Sequence, residues 1–139
     1  MPTLIAQRAR EHPDRVFIDE VGGTSLTWSQ FNDTILRWAA ALQRLGVGAG
    51  DRVVTMLPAT QTALCAWLGV SSLRAVEVPC NTAFRGRMLG YLIANSDAQT
   101  IVIADRFLER LAEVGDDLPN LRTVVVIGSE HADVDVPWQ

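Results

Sequence analysis

The side chains able to do chemistry at neutral pH are few in this chain and stand far apart. Cys65 and Cys80 form no C-x-x-C pair, and the two histidines, His12 and His131, sit at spacings unrelated to either cysteine. A structural zinc site needs four such ligands at short, regular intervals, so these residues predict no metal centre. Ser129, in "IGSE", lacks the G-x-S-x-G setting of a nucleophile elbow, and His131 lies too close to it in sequence to form a triad. The paired carboxylates of "GDDL" (115–118) precede a proline and read as a solvated turn, not as an acid–base pair. All twelve basic residues are arginine, so no lysine is available for a phosphate loop. The glycines of "GVGAGD" (46–51) leave a helix and enter a strand, the reverse of a phosphate-cradling turn. What remains is "VEVPCNTAFRGRML" (76–89), in which a strand ends at Pro79 and Arg85 and Arg87 flank a glycine at the start of a helix.

The elements that must hold these residues are legible from hydrophobic period. Trp28, Phe31, Ile35, Trp38, Leu42 and Leu45 recur at steps of three and four, which predicts one buried face of a helix. "TWSQ" supplies its capping box, with Thr27 as N-cap and Gln30 three residues on. Gly46 ends the helix, with Val47 placed for a Schellman contact. Downstream, "RVVTML" (52–57), "AVEVP" (75–79), "TIVIAD" (100–105) and "RTVVVIG" (122–128) read as strands. Between them lie a nearly all-apolar helix from Gln61, opened by Thr60, then "RGRMLGYLIANS", then "RFLERLAEV" with Asp105 as its cap. A first helix, "TLIAQRARE", precedes a hairpin of "RVFIDE" and "SLT" turning at Gly22-Gly23. The alternation predicts an α/β fold: a three-layer open sheet, mostly parallel, with helices on both faces and an N-terminal hairpin.

Composition narrows the function classes. The net charge is −4 and the arginines are scattered, so nucleic acid has little to hold. No apolar run approaches the roughly 18 residues that a membrane span needs, and the first residues lack the pattern of a secretory signal. Those features predict a cytoplasmic protein with no membrane span, whose isolated cysteines are small core residues.

Three stretches together resemble the adenylate-forming enzymes: acid–CoA ligases, luciferases and peptide-synthetase adenylation domains. They are "LIAQRAREHPDRVFI", "LTWSQFNDTILRWAAALQRLGVGAGDRVVTMLP" (26–58) and "AWLGVSSLRAVEVPCNTAFRG" (66–86). The last is most similar to bacterial fatty-acid and related acyl–CoA ligases. One departure is Leu73-Arg74-Ala75, where the family commonly has an Ala-Gly-Ala-like run that permits close helix–strand packing; Arg74 is therefore expected to point outward or find a partner.

The resemblance implies a reaction that joins a carboxylate to ATP, releases pyrophosphate and passes the acyl group to CoA, with ATP, Mg and CoA as ligands of the intact enzyme. It also implies that the lysine-bearing phosphate loop, the second lysine and the hinge aspartate lie beyond these 139 residues. Residues 1–139 are thus expected to be the N-terminal subdomain of a large domain, with the C-terminal domain absent. No catalytic residue and no cofactor is assigned within them. In CoA-forming relatives a face of this region helps bind the CoA nucleotide, which makes Arg85 and Arg87 its candidate phosphate contacts; the competing reading leaves both in solvent or paired with carboxylates. Alternatives are a stand-alone, non-catalytic binding or assembly module of the same fold, and a small dinucleotide-binding domain, which the missing glycine loop disfavours. An apolar surface left uncovered by the missing sequence predicts self-association.

Overall fold

The computed structural model describes residues 1–128 and divides the chain into two compact units. The first comprises residues 1–49 and 59–75, and the second begins with residues 50–58 and resumes at 76. Helix α1 (Pro2–Glu11), strands β1 (Val16–Asp19) and β2 (Ser25–Thr27), and helices α2 (Trp28–Arg44) and α3 (Gln61–Ser72) build the first unit. Strands β3 (Arg52–Met56), β4 (Val76–Pro79), β5 (Thr100–Ala104) and β6 (Thr123–Ile127) build the second, with helices α4 (Gly86–Ser96) and α5 (Leu108–Ala112).

In the first unit, Phe31 and Ile35 of α2 meet Ile5 of α1 and Cys65 and Leu68 of α3 in one buried cluster. Removing such side chains from water contributes roughly 1.5–3 kcal/mol each. The start of α2 is fully satisfied. Thr27 Oγ1 accepts from Gln30 N at 3.3 Å while Thr27 N donates to Gln30 Oε1 at 3.0 Å. Trp28 N and Ser29 N donate to Arg15 O and Pro13 O at 3.0 and 3.1 Å, so the α1–β1 turn is tied to the helix it precedes. At the other end, Val47 N reaches Leu42 O and Gly46 N reaches Gln43 O, both at 3.0 Å. With Gly46 at φ +91°, this is the expected Schellman cap. Leu45 departs from the expected stripe: it is 49% exposed, because it sits at the C-cap where the helical turn has ended, and Ala39 takes the buried place.

Helices α2 and α3 approach so closely at Gly69 that a Cβ there would lie 2.5 Å from Trp38 Cβ. Helix α3 ends in the same motif as α2, with Ala75 N bonded to Val70 O at 3.3 Å and Arg74 N to Ser71 O at 3.1 Å. Its left-handed position is held by Arg74, at φ +58°, with the side chain exposed. The outward expectation for Arg74 is met, but the physical reason for a glycine at this place is the positive φ, not helix–strand proximity.

The second unit is a four-stranded sheet in the order β4-β3-β5-β6, parallel at every pair. Among the described residues antiparallel pairing is confined to β1 and β2, which meet around the turn at Gly22 (φ +75°). β5 is buried at every position, and β3 from Val53 on, which accounts for their continuous apolar runs. Strands β3, β4 and β5 stop one residue short of the expected Leu57, at the expected Pro79, and one short of Asp105. Asp105 does not cap a long helix. It opens a 3₁₀ turn (Asp105–Phe107) that hands over to the five-residue α5. Its carboxylate instead accepts from the next amide, Arg106 N, at 2.6 Å. The "GDDL" segment forms a second 3₁₀ turn, Gly115–Asp117, with Asp116 exposed, as a solvated turn should be. Among the described residues no helix is long and apolar enough to cross a membrane.

Candidate functional site

In a parallel sheet, ligands gather beyond the carboxyl ends of the strands, where successive connections run to opposite sides. Here β3 leads to β4 on one side and β5 lies on the other, so that point falls at the ends of β3 and β5, with the β4–α4 loop beside it. The loop is built tightly. Cys80 N donates to Thr55 O at 2.8 Å, which carries the ladder one residue past Pro79. Asn81 then makes the turn: its Oδ1 accepts from Ala83 N at 2.8 Å and its carbonyl from Phe84 N at 3.0 Å. Asn81 is a turn residue, as its type predicts.

Arg85 occupies the N-cap of α4 without a side-chain cap bond, and Gly86 follows at φ +47°. Both Arg85 and Arg87 are exposed. Among the described residues neither forms an ion pair or a side-chain hydrogen bond, so the guanidinium groups are solvated and free to meet an anion.

The structure adds two cations that sequence reading missed. The guanidinium groups of Arg106 and Arg110 stand 4.9 and 4.7 Å from the centroid of the Phe107 ring. Arg110 also donates to Thr82 O at 2.5 Å, fastening α5 to the β4–α4 loop. Arginines four apart, directly after a strand, were the available signal; only the fold brings one of them to Thr82. Asp105 stands beside Gly128, where an added Cβ would collide with its carboxylate, so the β6 end needs a glycine.

The two cysteines take no part in this chemistry. Cys65 and Cys80 are buried, and burial pushes each thiol up to about 11, so both stay protonated and inert. Among the described residues no three His, Cys, Asp or Glu side chains cluster to hold a metal. Ser129 and His131 lie outside the described residues. His12 is exposed at the end of α1, in the other unit. The arrangement at the sheet end can hold and orient an anionic group. Among the described residues it brings together no nucleophile with a base.

Comparison with known proteins shows the family and the fold. The chain is 31% identical over 137 residues to a salicyl-AMP ligase/salicyl-S-ArCP synthetase of Mycobacterium tuberculosis, covering 92% of this chain and 24% of that protein. It is 32% identical over 115 residues to a medium/long-chain-fatty-acid–CoA/3-oxocholest-4-en-26-oate–CoA ligase of Mycobacterium marinum, covering 83% of this chain and 21% of the relative. The inhibitor-bound N-terminal domain of FACL13 from Mycobacterium tuberculosis shares the fold with a TM-score of 0.82 at 22% identity, covering 91% of this chain and 33% of that one. This sequence therefore spans about a quarter or less of the curated relatives it matches. Residues 5–137, nearly the whole of this chain, match the AMP-binding enzyme family, and the chain belongs to that family.

Proposed function

We propose that these residues are the N-terminal subdomain of an ATP-dependent acyl–CoA ligase, serving as scaffold and as one wall of the thiol substrate's site. In the intact enzyme a carboxylate, ATP with Mg, and CoA would be converted to acyl-CoA, AMP and pyrophosphate in the cytoplasm. The observation that carries this reading is the family match over residues 5–137 in a chain about one quarter the length of its relatives. A sheet end that, among the described residues, offers arginines and no acid–base pair supports it. Stabilising a transferring phosphoryl group takes charge held in place around it; Arg85, Arg87, Arg106 and Arg110 can receive a distal phosphate, but they do not assemble a reaction centre. The 139-residue chain alone is accordingly a non-catalytic piece.

Arg85 and Arg87 are assigned to a CoA phosphate. In the full-length polypeptide, Arg85→Ala and Arg87→Ala should raise the KM for CoA while leaving carboxylate-dependent pyrophosphate release unchanged. An unchanged KM for CoA in both variants removes the assignment. Pyrophosphate release by the 139-residue chain with a fatty acid and ATP would remove the scaffold reading itself. The second reading, a stand-alone binding module, is separated by the coding sequence after Gln139: continuation in frame into a Ser/Thr/Gly-rich loop with a lysine excludes it.

The same reading implies self-association of the 139-residue chain. Val76, Val78, Phe84, Met88, Tyr91 and Leu92 line an open groove of about 550 Å³ beside the edge strand β4. Val76 is 52%, Met88 60% and Tyr91 71% exposed. Strand addition is not the route. Val76 N and Cys80 N point inward to β3, so the outward positions are Glu77 and Pro79, and Pro79 has no N–H to give. Apolar face-to-face contact is what the groove offers.

A further inference from the structure

We propose that the corner between the end of α1 and the start of β1 binds a phosphate group, carried either by a soluble phosphate or by a lipid headgroup. This site lies in the first unit and is independent of the ligase reading. A depression of about 370 Å³ is lined there by Arg8, His12, Arg15, Val16, Phe17 and Trp28. Three basic residues thus line one concavity in a protein whose net charge is −4.

Among the described residues the side chain of Arg15 makes no hydrogen bond or ion pair, while Arg8 is oriented by Glu11 at 3.1 Å and His12 lies close enough to the same carboxylate to help hold its pKa down. Glu11 and Asp14 are near in sequence but do not line the depression. A helix C-terminus attracts cations, and that accounts for Arg8 and Arg10 in the last turn of α1. It does not account for Arg15, which follows Pro13 on the far side of the turn.

The backbone beneath Arg15 is fixed: its N–H donates to His12 O at 3.2 Å and its carbonyl accepts from Trp28 N at 3.0 Å. The pairing of β1 with β2 slips between Val16 and Ile18, so Phe17 is the extra residue of a bulge. Bulges re-aim side chains. Here the Phe17 ring is set flat on Trp28, with centroids 3.7 Å apart and planes at 25°. The lining thus combines the stacked Phe17 and Trp28 rings with the basic residues Arg8, His12 and Arg15. Donors arriving from separate segments suit the several oxygens of a phosphate, and a guanidinium fork can bind two of them at once.

The test titrates the purified protein, at constant ionic strength, with inorganic phosphate and separately with vesicles of phosphatidylglycerol or of phosphatidylcholine. Calorimetry and Trp fluorescence report binding. Arg15→Gln should weaken binding at least about tenfold, the loss expected for a charge-assisted hydrogen bond, with an unchanged melting temperature. Arg10→Gln, on the same helix but outside the lining, should leave binding unchanged. Saturable binding of inorganic phosphate identifies a soluble ligand. Binding only to phosphatidylglycerol vesicles, lost in Arg15→Gln, identifies a headgroup. Absence of both, or equal effects of Arg10→Gln and Arg15→Gln, overturns the proposal.

Discussion

Replacing a helical glycine by alanine should have opposite consequences at Gly69 and Gly90. Alanine is favoured over glycine in a helix interior by about 1 kcal/mol, and that gain is common to both sites. The space available is not. A Cβ at Gly69 would stand 2.5 Å from Trp38 Cβ, 3.2 Å from Ala39 N and 3.3 Å from the Trp38 carbonyl carbon. Non-bonded carbons rest at about 3.5–4.0 Å. These atoms belong to the backbone or its first side-chain carbon, so none can swing away. Helices α2 and α3 must part by on the order of 1 Å, and such overpacking costs about 1–3 kcal/mol. With the immovable partners placing Gly69 near the upper limit, Gly69→Ala should destabilise by ~2 kcal/mol. At Gly90 the nearest atom is Val114 Cβ at 3.6 Å, an ordinary contact, so Gly90→Ala should stabilise by up to ~1 kcal/mol. Urea denaturation followed by Trp fluorescence and circular dichroism reads both. A 2 kcal/mol loss lowers the midpoint by on the order of 1 M. A Gly69→Ala midpoint at or above the parent's would refute the close helix contact.

Arg74→Gly should stabilise the protein by up to ~1 kcal/mol, because Arg74 holds a left-handed φ of +58° that costs a side chain about 1–2 kcal/mol and glycine returns part of that as unfolded-state entropy; a lower urea midpoint contradicts it. Light scattering at high concentration should show dimers or larger species, reduced by Tyr91→Glu on the exposed face of α4. A parent protein that stays monomeric would rule out association through the groove.

How much was legible depends on whether the interaction is local. The capping box at Thr27 and Gln30, the Schellman turn at Gly46, and the strands at 52–56 and 100–104 follow from neighbours in sequence, and each was readable. Arg85 and Arg87 were readable as cations after a strand, since the strand's end and the helix start are written side by side. Leu45 was misplaced by an unbroken apolar period, because the period continues one residue past the point where the helix stops. Asp105 was misplaced because its short side chain can satisfy the next amide as well as a helix terminus.

The sequence by itself determined the order of elements, the parallel class of the sheet and the lack of lysine among these 139 residues, all properties of composition and short-range period. Tertiary structure alone decided that Arg110 reaches Thr82, 28 residues away, and that Gly69 admits Trp38. It also decided that Arg8, His12 and Arg15 share one hollow over a re-aimed Phe17. Those facts depend on chain crossings and on the direction of each Cα–Cβ bond after folding, and no local pattern encodes them.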